Sequence, residues 1–179
     1  MSNDGRTAIR RIEAEGLTLE PQTAAHAEEM FDVLCDPAIY LHENEPPVSA
    51  EWLRARFARL ESRASADGSE QWLNWVVRLP SGPLIGYVQA TVRANGGAAI
   101  AYVLRSSHWR RGLARRATEA MIGELIAYHG VTRLTAVAKR TNLDSLHLLE
   151  RLGFALATPE QHAALDVEPD EVLWLRNAT

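Results

Sequence analysis

The spacing of hydrophobic positions along the chain changes near residue 70. Before that point, apolar residues recur every three or four positions in two segments, which predicts helices over 21–34 and 49–60. Pro21 suits the first turn of the first helix, and Ser49 suits the N-cap of the second. A short alternating run at 17–20 predicts a strand ahead of both helices.

From residue 71 the apolar positions follow the pattern of strands. Three runs separated by turn residues predict strands at 71–79, 84–92 and 98–104. Because consecutive strands joined by short turns pair with one another in opposite directions, we expect an antiparallel meander.

The last part of the chain alternates between the two patterns. It predicts a helix over 112–128, a strand at 131–138, a helix over 142–152 and a final strand at 171–176, with a weaker strand signal around Phe154. The strand at 131–138 is reached through a helix, so we expect it to run parallel to the strand before it.

These elements predict an α/β fold in the order β-α-α-β-β-β-α-β-α-β-β, with a mixed, mostly antiparallel sheet flanked by helices. The 179 residues, 46% of them hydrophobic, are enough for one buried core, and no internal repeat or linker divides them. We therefore expect a single domain over 15–179, preceded by a flexible N-terminal segment, 1–14.

Composition narrows the possible partners. A net charge of −4 argues against a protein built to coat nucleic acid or an anionic membrane, so no nucleic-acid or membrane partner is expected. The single cysteine, Cys35, excludes an internal disulfide and a cysteine-based zinc cluster. The N-terminal residues lack the apolar core of a secretory signal, and a cytoplasmic protein without a bound metal is expected.

Positive charge is concentrated in one short segment, residues 108–116, which we call the arginine-rich turn. Five arginines fall between residues 105 and 116, around Gly112 and at the start of a predicted helix. Arginine is unfavourable near the positive end of a helix dipole, and a bound phosphate would remove that penalty. The chain has neither GxxxxGK[ST] nor GxGxxG, which disfavours a nucleotide held in those ways.

Two segments at a definite spacing resemble a known family. "YVLRSSHWRRGLARRATEAM" (102–121) and "NLDSLHLLERLGF" (142–154) are similar to the two signature segments of the GNAT superfamily of acyl-CoA-dependent N-acetyltransferases. The resemblance is closest to the branch that includes the ribosomal-protein N-terminal acetyltransferases, and the element order matches over roughly residues 15 to 176. It implies a GNAT-type fold and acetyl-CoA as cosubstrate.

The resemblance also implies a set of cofactor-binding residues. The backbone at the splayed end of the strand at 98–104 would hydrogen-bond the pantetheine arm, and the amides of the arginine-rich turn would surround the pyrophosphate. Asn142 would fix the cofactor arm, and Ser145 would lie near the sulfur. The whole expected set is Val103, Leu104, Arg105, Arg110, Arg111, Gly112, Leu113, Ala114, Arg115, Asn142 and Ser145.

The sequence departs from the family at a catalytic position. The tyrosine that often protonates the departing thiolate falls at Leu149, which has no proton to give. Ser145 or a water molecule must take that role.

Amide formation also needs a group that removes a proton from the amine. Glu70 and Glu43 are the favoured candidate bases. Tyr102 and Tyr87 are further candidates for orienting the acceptor, and His42 and His108 for moving protons.

The favoured function is transfer of an acetyl group from acetyl-CoA to a primary amine by direct attack in a ternary complex. The acceptor could be a protein N-terminus, a polyamine or amino-acid-like amine, or an aminoglycoside. Leu149 keeps open a second interpretation, a non-catalytic acyl-CoA-binding module. A nucleic-acid-binding domain is a third and is disfavoured by the net charge. The family's habit of pairing makes a homodimer possible.

Overall fold

The structure is a computed structural model, and it describes residues 8–42 and 44–178. Over these residues it contains one mixed sheet of eight strands with the spatial order β1-β2-β3-β4-β5-β6-β8-β7. The strands are β1 Ile12–Ala14, β2 Leu17–Pro21, β3 Glu70–Arg78, β4 Leu84–Arg93, β5 Gly97–Leu104, β6 Arg133–Lys139, β7 Ala155–Leu156 and β8 Glu171–Asn177. The predicted α/β class, the antiparallel meander β3-β4-β5 and the parallel β5-β6 pair are confirmed.

The helices connect these strands and cover the sheet. They are α1 Ala27–Leu34, α2 Ala50–Leu60, α3 Leu113–Tyr128, α4 Leu143–Arg151 and α5 Pro159–Ala163, with short 3-10 turns at Ala24–His26, Pro37–Tyr40 and Ser106–His108. None of the helices in the described part of the chain has the length and apolarity needed to cross a bilayer.

The last residues of the expected flexible segment 1–14 are folded. Residues 1–7 lie outside the described residues, but Ile12–Ala14 pair with Leu17–Leu19 in a tight hairpin. Arg10 forms two hydrogen bonds to Glu124 on α3, at 2.9 and 2.7 Å, and its carbonyl accepts one from the Trp75 indole at 2.7 Å. The sequence pattern did not predict this strand, because apolar and charged residues alternate there over only three positions.

The first helix also begins later than predicted. Pro21 is the last residue of β2, where it pairs with Trp75, instead of the first residue of a helix. The chain turns at Thr23, whose hydroxyl and amide contact the His26 ring, and α1 follows at Ala27. Proline is compatible with the end of a strand as well as with a first helical turn, so its position alone did not decide between them.

Two hydrophobic clusters lie on opposite faces of the sheet. The larger one joins α3 and α4 to side chains of most strands, and the smaller one joins α1 and α2 to Val76 and Leu84. Neighbouring residues of β5 therefore pack in different places, since strand side chains alternate between faces. Tyr102 packs against the larger cluster and Val103 against the smaller.

The sheet opens between its two halves. β5 and β6 pair only from Gly97–Ala99 to Arg133–Thr135, although both strands continue beyond these residues. On its other side β5 stays paired with β4 as far as Leu104. The separation of β5 from β6 therefore leaves a wedge-shaped gap in the sheet, as the resemblance implied for this strand.

The end of β5 depends on a close backbone approach at Gly86. A Cβ atom at this position would collide with the carbonyl oxygen of Val103 and come within 2.8 Å of the Leu104 Cα. We expect Gly86→Ala to lower the free energy of unfolding by about 1–3 kcal/mol through overpacking. The matched control is Gly123→Ala in the middle of α3, where a Cβ meets nothing within 4 Å.

The control should change stability in the opposite direction, by about +0.5 to +1 kcal/mol, because alanine is the better helix former. Urea unfolding of the two variants beside the parent protein measures both values. Equal effects of the two substitutions would show that β4 and β5 are not in close contact at Gly86.

Candidate active site

A cavity of about 980 Å³ occupies the gap between β5 and β6 and continues onto the face covered by α1 and α2. One half, the cofactor half, is lined by the end of β5, the start of α3 and the first turns of α4. The other, the acceptor half, is lined by α2, the 3-10 turn at 37–40 and the loop at 41–48, which we call the acceptor loop. The two halves form one continuous space.

The start of α3 presents free backbone amides to the cofactor half. Gly112 has a left-handed conformation (φ +75°) and is the N-cap residue, and Arg110 also has a positive φ of 58°. The first α-helical hydrogen bond in this turn runs from the Arg116 amide to the Gly112 carbonyl at 3.1 Å. The amides of residues 113–115 therefore have no intrahelical acceptor, and they lie at the positive end of the helix dipole.

The arginines of the turn do not all point to the same place. Arg110 and Arg115 line the cavity, whereas Arg111 does not, and Arg116 extends towards Gly16. Arg110 pairs with Asp144 at 3.5 Å and Arg115 with Glu119 at 2.8 Å. Both are exposed pairs of small net strength, so the two guanidinium groups can turn to a phosphate at little cost.

Three contacts fix the exit of β5 next to this turn. The Arg105 amide donates to the Ile85 carbonyl at 2.8 Å, which extends the β4-β5 pairing by one residue. The Trp109 indole donates to the Leu104 carbonyl at 2.7 Å. Asp36, just after α1, accepts hydrogen bonds from the Ser106 amide at 2.7 Å and the Ala38 amide at 3.1 Å.

The Asp36 carboxylate is held in its charged form. Burial alone would raise the pKa of this carboxyl, but the hydrogen bonds from Ser106 and Ala38, together with the positive charge of Arg105, outweigh burial and lower it. The carboxylate therefore connects the end of α1 to the exit of β5 at neutral pH.

The beginning of α4 closes the cofactor half. Asn142 is the N-cap residue, and its Oδ1 accepts the Ser145 amide at 3.2 Å. Ser145 lines the cavity, and its Oγ lies 2.7 Å from the hydroxyl of Tyr102 on β5. Burial raises the pKa of Tyr102 to about 12, with the Ser145 contact acting weakly in the other direction. Leu149, where the family often has tyrosine, is only 1% exposed and belongs to the core.

Four aromatic side chains are part of the lining of the acceptor half. They are Tyr40, Trp52, Phe57 and Tyr87. The Tyr40 hydroxyl donates to the Leu34 carbonyl at 2.6 Å, and burial raises the pKa of Tyr40 to about 12. Arg56 lies 5.8 Å from the centre of the Trp52 ring and is the cationic side chain that α2 contributes to the lining.

The acceptor loop crosses from this half to the cofactor half. Its His42 has Nδ1 3.1 Å from the Thr141 hydroxyl, directly before Asn142. Glu45 and His42 line the cavity. His108 also lines it, and burial, then Arg111 and Arg105, lower the pKa of His108, so that its imidazole is neutral at physiological pH.

Of the two predicted bases, the structure describes only Glu70. Glu70 lies at the far end of β3, where it pairs with Arg93 at 3.1 Å and accepts the Trp72 indole at 3.1 Å. Val77, seven positions further along β3, is the residue that pairs with Gly86, so Glu70 is about 23 Å along the sheet from the end of β5. The geometry thus excludes Glu70 as the base. Glu43 lies outside the described residues.

Most of the predicted cofactor residues come together around the cavity. Val103, Leu104, Arg110, Gly112, Leu113, Ala114, Arg115, Asn142 and Ser145 line it. Arg105 and Arg111 do not, although Arg105 takes part through its backbone in fixing the strand end. The sequence did not indicate the contact of Asp36 with Ser106 or that of Tyr102 with Ser145, because each contact joins residues more than 40 positions apart.

A splayed parallel strand pair beside an uncapped, glycine-led helix start is the arrangement that the resemblance implied for an acyl-CoA-binding domain. The model of the GNAT acetyltransferase domain matches residues 16–155. The chain therefore belongs to the GNAT acetyltransferase family and is an acetyl-CoA-dependent N-acetyltransferase. This assignment disfavours the non-catalytic interpretation.

Solved structures with the same fold include several acetyltransferases. RimL, a ribosomal L7/L12 α-N-protein acetyltransferase in complex with coenzyme A, is 17% identical, with a TM-score of 0.77 over 94% of this chain and 98% of that one. The ribosomal-protein-S5-alanine acetyltransferase from Vibrio fischeri is 18% identical, with a TM-score of 0.74 over 94% and 96%. The microcin C7 self-immunity acetyltransferase MccE, in complex with acetyl-CoA and AMP, is 16% identical, with a TM-score of 0.75 over 92% and 93%. No curated protein sequence matches this chain significantly.

The Asp36 contact generates a prediction with a defined pH dependence. Asparagine at this position can accept only one of the two amides, so Asp36→Asn should lower the free energy of unfolding at pH 7 by about 1 kcal/mol. Because the folded pKa of Asp36 lies below the unfolded value of about 3.9, this contribution is present above pH 4 and is lost as the pH falls through the folded pKa. The difference between parent and variant should therefore shrink in acid, as measured by urea unfolding at pH 7 and pH 3.

A second aspartate provides the control for the site. Asp67, in the turn before β3, also has a lowered pKa, because it accepts hydrogen bonds from Ser65 and Ser69. Asp36→Asn should weaken acetyl-CoA binding several-fold by loosening the exit of β5, whereas Asp67→Asn should leave the affinity unchanged. Unchanged affinity for acetyl-CoA in both variants would show that Asp36 does not contribute to the shape of the cofactor half.

Proposed function

We propose that this chain transfers the acetyl group of acetyl-CoA directly to a primary amine held in the acceptor half of the cavity. The observation that carries the proposal is the continuity of the cavity. A site suited to a phosphate and an extended thioester opens, without a separating wall of secondary structure, into a pocket that contains four aromatic side chains and adjoins the acceptor loop. Direct attack in a ternary complex needs both reactants in one such space.

The cofactor half would hold acetyl-CoA through the backbone more than through side chains. The free amides of residues 113–115 suit a pyrophosphate, with Arg110 and Arg115 adding charge around it. The Leu104 amide, on the side of β5 that β6 has left, suits an amide group of a pantetheine arm, whereas the Val103 carbonyl faces Gly86 on β4. Asn142 and Ser145 then lie where that arm would end.

Leaving-group protonation falls to Ser145 in this proposal. Ser145 is the serine of α4 that lines the cavity, whereas Leu149 of the same helix is buried in the core. On the acceptor side, the proton of the ammonium must be removed before the amine can attack. Glu45 and His42 of the acceptor loop line the cavity there, and Glu43, between them in the sequence, is proposed as a further candidate base.

The acceptor we favour is the N-terminus of a protein or peptide. A peptide can place its amine in the cavity while its following residues lie against the aromatic lining and the exposed apolar side chains at the mouth, Leu41, Val48 and Trp52. RimL and the S5-alanine enzyme, which share the fold, are acetyltransferases of ribosomal proteins. A small polyamine or an aminoglycoside is the competing acceptor, and Arg56 in the lining disfavours a strongly cationic one.

A cytoplasmic location, a homodimer, and the lack of nucleic-acid and membrane partners belong to the same proposal. They are supported by the acidic balance, the single cysteine and the family's habit of pairing. Light scattering on the purified protein measures the oligomeric state, and a monomer at micromolar concentration would remove the dimer from the proposal.

The direct test combines calorimetry with thiol release. The protein is titrated with acetyl-CoA, and the rate of free thiol formation is then measured over a panel of N-terminal peptides, polyamines and aminoglycosides. Micromolar binding with release on one class of amine supports the proposal and identifies the acceptor. Binding without release on any amine would support the non-catalytic module instead.

Gly112 allows a sharp test of the cofactor half. We expect Gly112→Glu to abolish acetyl-CoA binding, because a carboxylate at the start of α3 repels phosphate and competes for the free amides. The matched control is Gly130→Glu, just beyond the C-terminal end of the same helix. Gly130 also has a positive φ, of 64°, and open space around a Cβ.

Both substitutions place a glutamate in the left-handed region, at a cost of about 1–2 kcal/mol each. Calorimetry should nevertheless show loss of binding only for Gly112→Glu. Parent-like affinity in that variant would remove the arginine-rich turn from the cofactor site.

A further inference from the structure

The pairing of Tyr102 with Ser145 solves a geometric problem at the leaving group. A serine hydroxyl rotates freely among three positions, and it can deliver its proton to a sulfur only from one of them. The helix cap on Asn142 fixes the Ser145 backbone but leaves its hydroxyl unconstrained. The group that restricts the hydroxyl is Tyr102, whose own oxygen is 2.7 Å from Oγ.

The direction of this hydrogen bond follows from the chemistry of the two groups. The Tyr102 hydroxyl can donate to Ser145 Oγ, at 2.7 Å, or to the Ser145 carbonyl, at 3.3 Å. The shorter contact has the ideal length for an O–H···O bond, and either oxygen could donate in it. Because a phenol is more acidic than an aliphatic alcohol, the Tyr102 hydroxyl is the better donor of the two. When the phenol donates to Oγ, the serine proton is left to point elsewhere, and the other side of Ser145 is the cavity.

We propose that Tyr102 is a positioning residue that donates to Ser145 Oγ and thereby directs the serine proton towards the sulfur of the leaving thiolate. This inference rests on the proposed function and extends it to Tyr102, to which the resemblance assigned no part in protonating the leaving group. It also gives a physical reason why the domain can function with Leu149 in the core.

The proton and electron balance of the step is simple. As the C–S bond breaks, its electron pair stays on the sulfur, which takes the proton of the Ser145 hydroxyl. Water then returns a proton to Oγ, and the proton lost by the attacking amine passes to solvent, so the overall transfer consumes none. Tyr102 keeps its proton throughout, because burial places its pKa far above that of a thiol.

The packing of Tyr102 supports this role. Its ring lies against the larger hydrophobic cluster, while the next residue, Val103, lies on the opposite face of the sheet at the proposed pantetheine strand. Tyr102 itself pairs across the sheet with Val88 in the interior of β4. A ring held in this way presents its hydroxyl with little freedom, which is what positioning of a second hydroxyl requires.

The test is Tyr102→Phe, which keeps the ring and removes the hydroxyl. With the best acceptor amine and acetyl-CoA, kcat should fall about 10- to 100-fold while the KM for acetyl-CoA stays within two-fold. Tyr128→Phe on the exposed last turn of α3 is the matched control and should keep kcat within two-fold. A parent-like kcat in Tyr102→Phe would overturn the proposal and leave the acetyltransferase activity itself intact.

Two further readouts distinguish positioning from packing. In a Ser145→Ala background, adding Tyr102→Phe should cause no further loss, because the two residues act as one unit. With an acetyl thioester of an acidic aromatic thiol, which leaves without being protonated, the loss in Tyr102→Phe should largely disappear. Additive losses, or equal losses with both donors, would assign Tyr102 a packing role only.

If Tyr102→Phe fails to fold, a second variant that keeps the phenol hydroxyl tests the proposal. Difluorotyrosine at position 102 retains the hydroxyl and lowers its pKa, so the alkaline limb of kcat should move to lower pH as the donor loses its proton. An alkaline limb that does not move would contradict the proposal. No acetyl transfer by the parent protein to any amine would instead be a failure of the proposed function.

Discussion

The functional part of this molecule depends on the end of one hydrogen-bonded ladder. β5 and β6 are joined by three residue pairs and then separate, while β5 keeps its bonds to β4 on the other side. Backbone amide and carbonyl groups on the free edge of β5 need partners, since polar backbone groups removed from water are costly when unpaired. An extended ligand rich in amide groups can supply them, which is why the gap suits a pantetheine arm.

The separated strand is held in place from outside the sheet. Asp36 binds the turn after β5 from the end of α1, and the Trp109 indole binds the last carbonyl of β5 itself. The same turn leads into Gly112 and the uncapped start of α3. The position of the strand edge and the position of the free amides of residues 113–115 are thus set by a few shared contacts.

Charge and aromatic surface divide the cavity between two tasks. The cofactor half has a helix dipole and two lining arginines, Arg110 and Arg115, whose exposed ion pairs are weak enough to exchange for phosphate. The acceptor half contains four aromatic side chains, and α2 and the acceptor loop contribute Arg56, His42 and Glu45 to its lining. Ser145, which we propose as the proton donor to the leaving thiolate, lies on the cofactor side beside the phenol of Tyr102.

The sequence by itself determined the class of fold, the order of most elements and the glycine-led helix start in the arginine-rich turn. These features are local: hydrophobic period, turn residues and a glycine at a helix start are all set within a few neighbouring positions. Helix boundaries near Pro21 and the strand at Ile12–Ala14 were wrong or missed, because local pattern there suits two structures equally well. Arg105 and Arg111 were placed in the cofactor set by sequence, but successive residues of a turn point in different directions, and only some face the cavity.

Only the tertiary structure decided which side chains meet. Glu70 stood close in sequence to the meander that carries the site, but strand length put it at the far end of the sheet. Asp36 with Ser106, and Tyr102 with Ser145, come together because sheet order and helix packing join segments that are distant along the chain. Such contacts leave no periodic trace in the sequence, so these two pairs of residues could be recognised only once the strands and helices were in place.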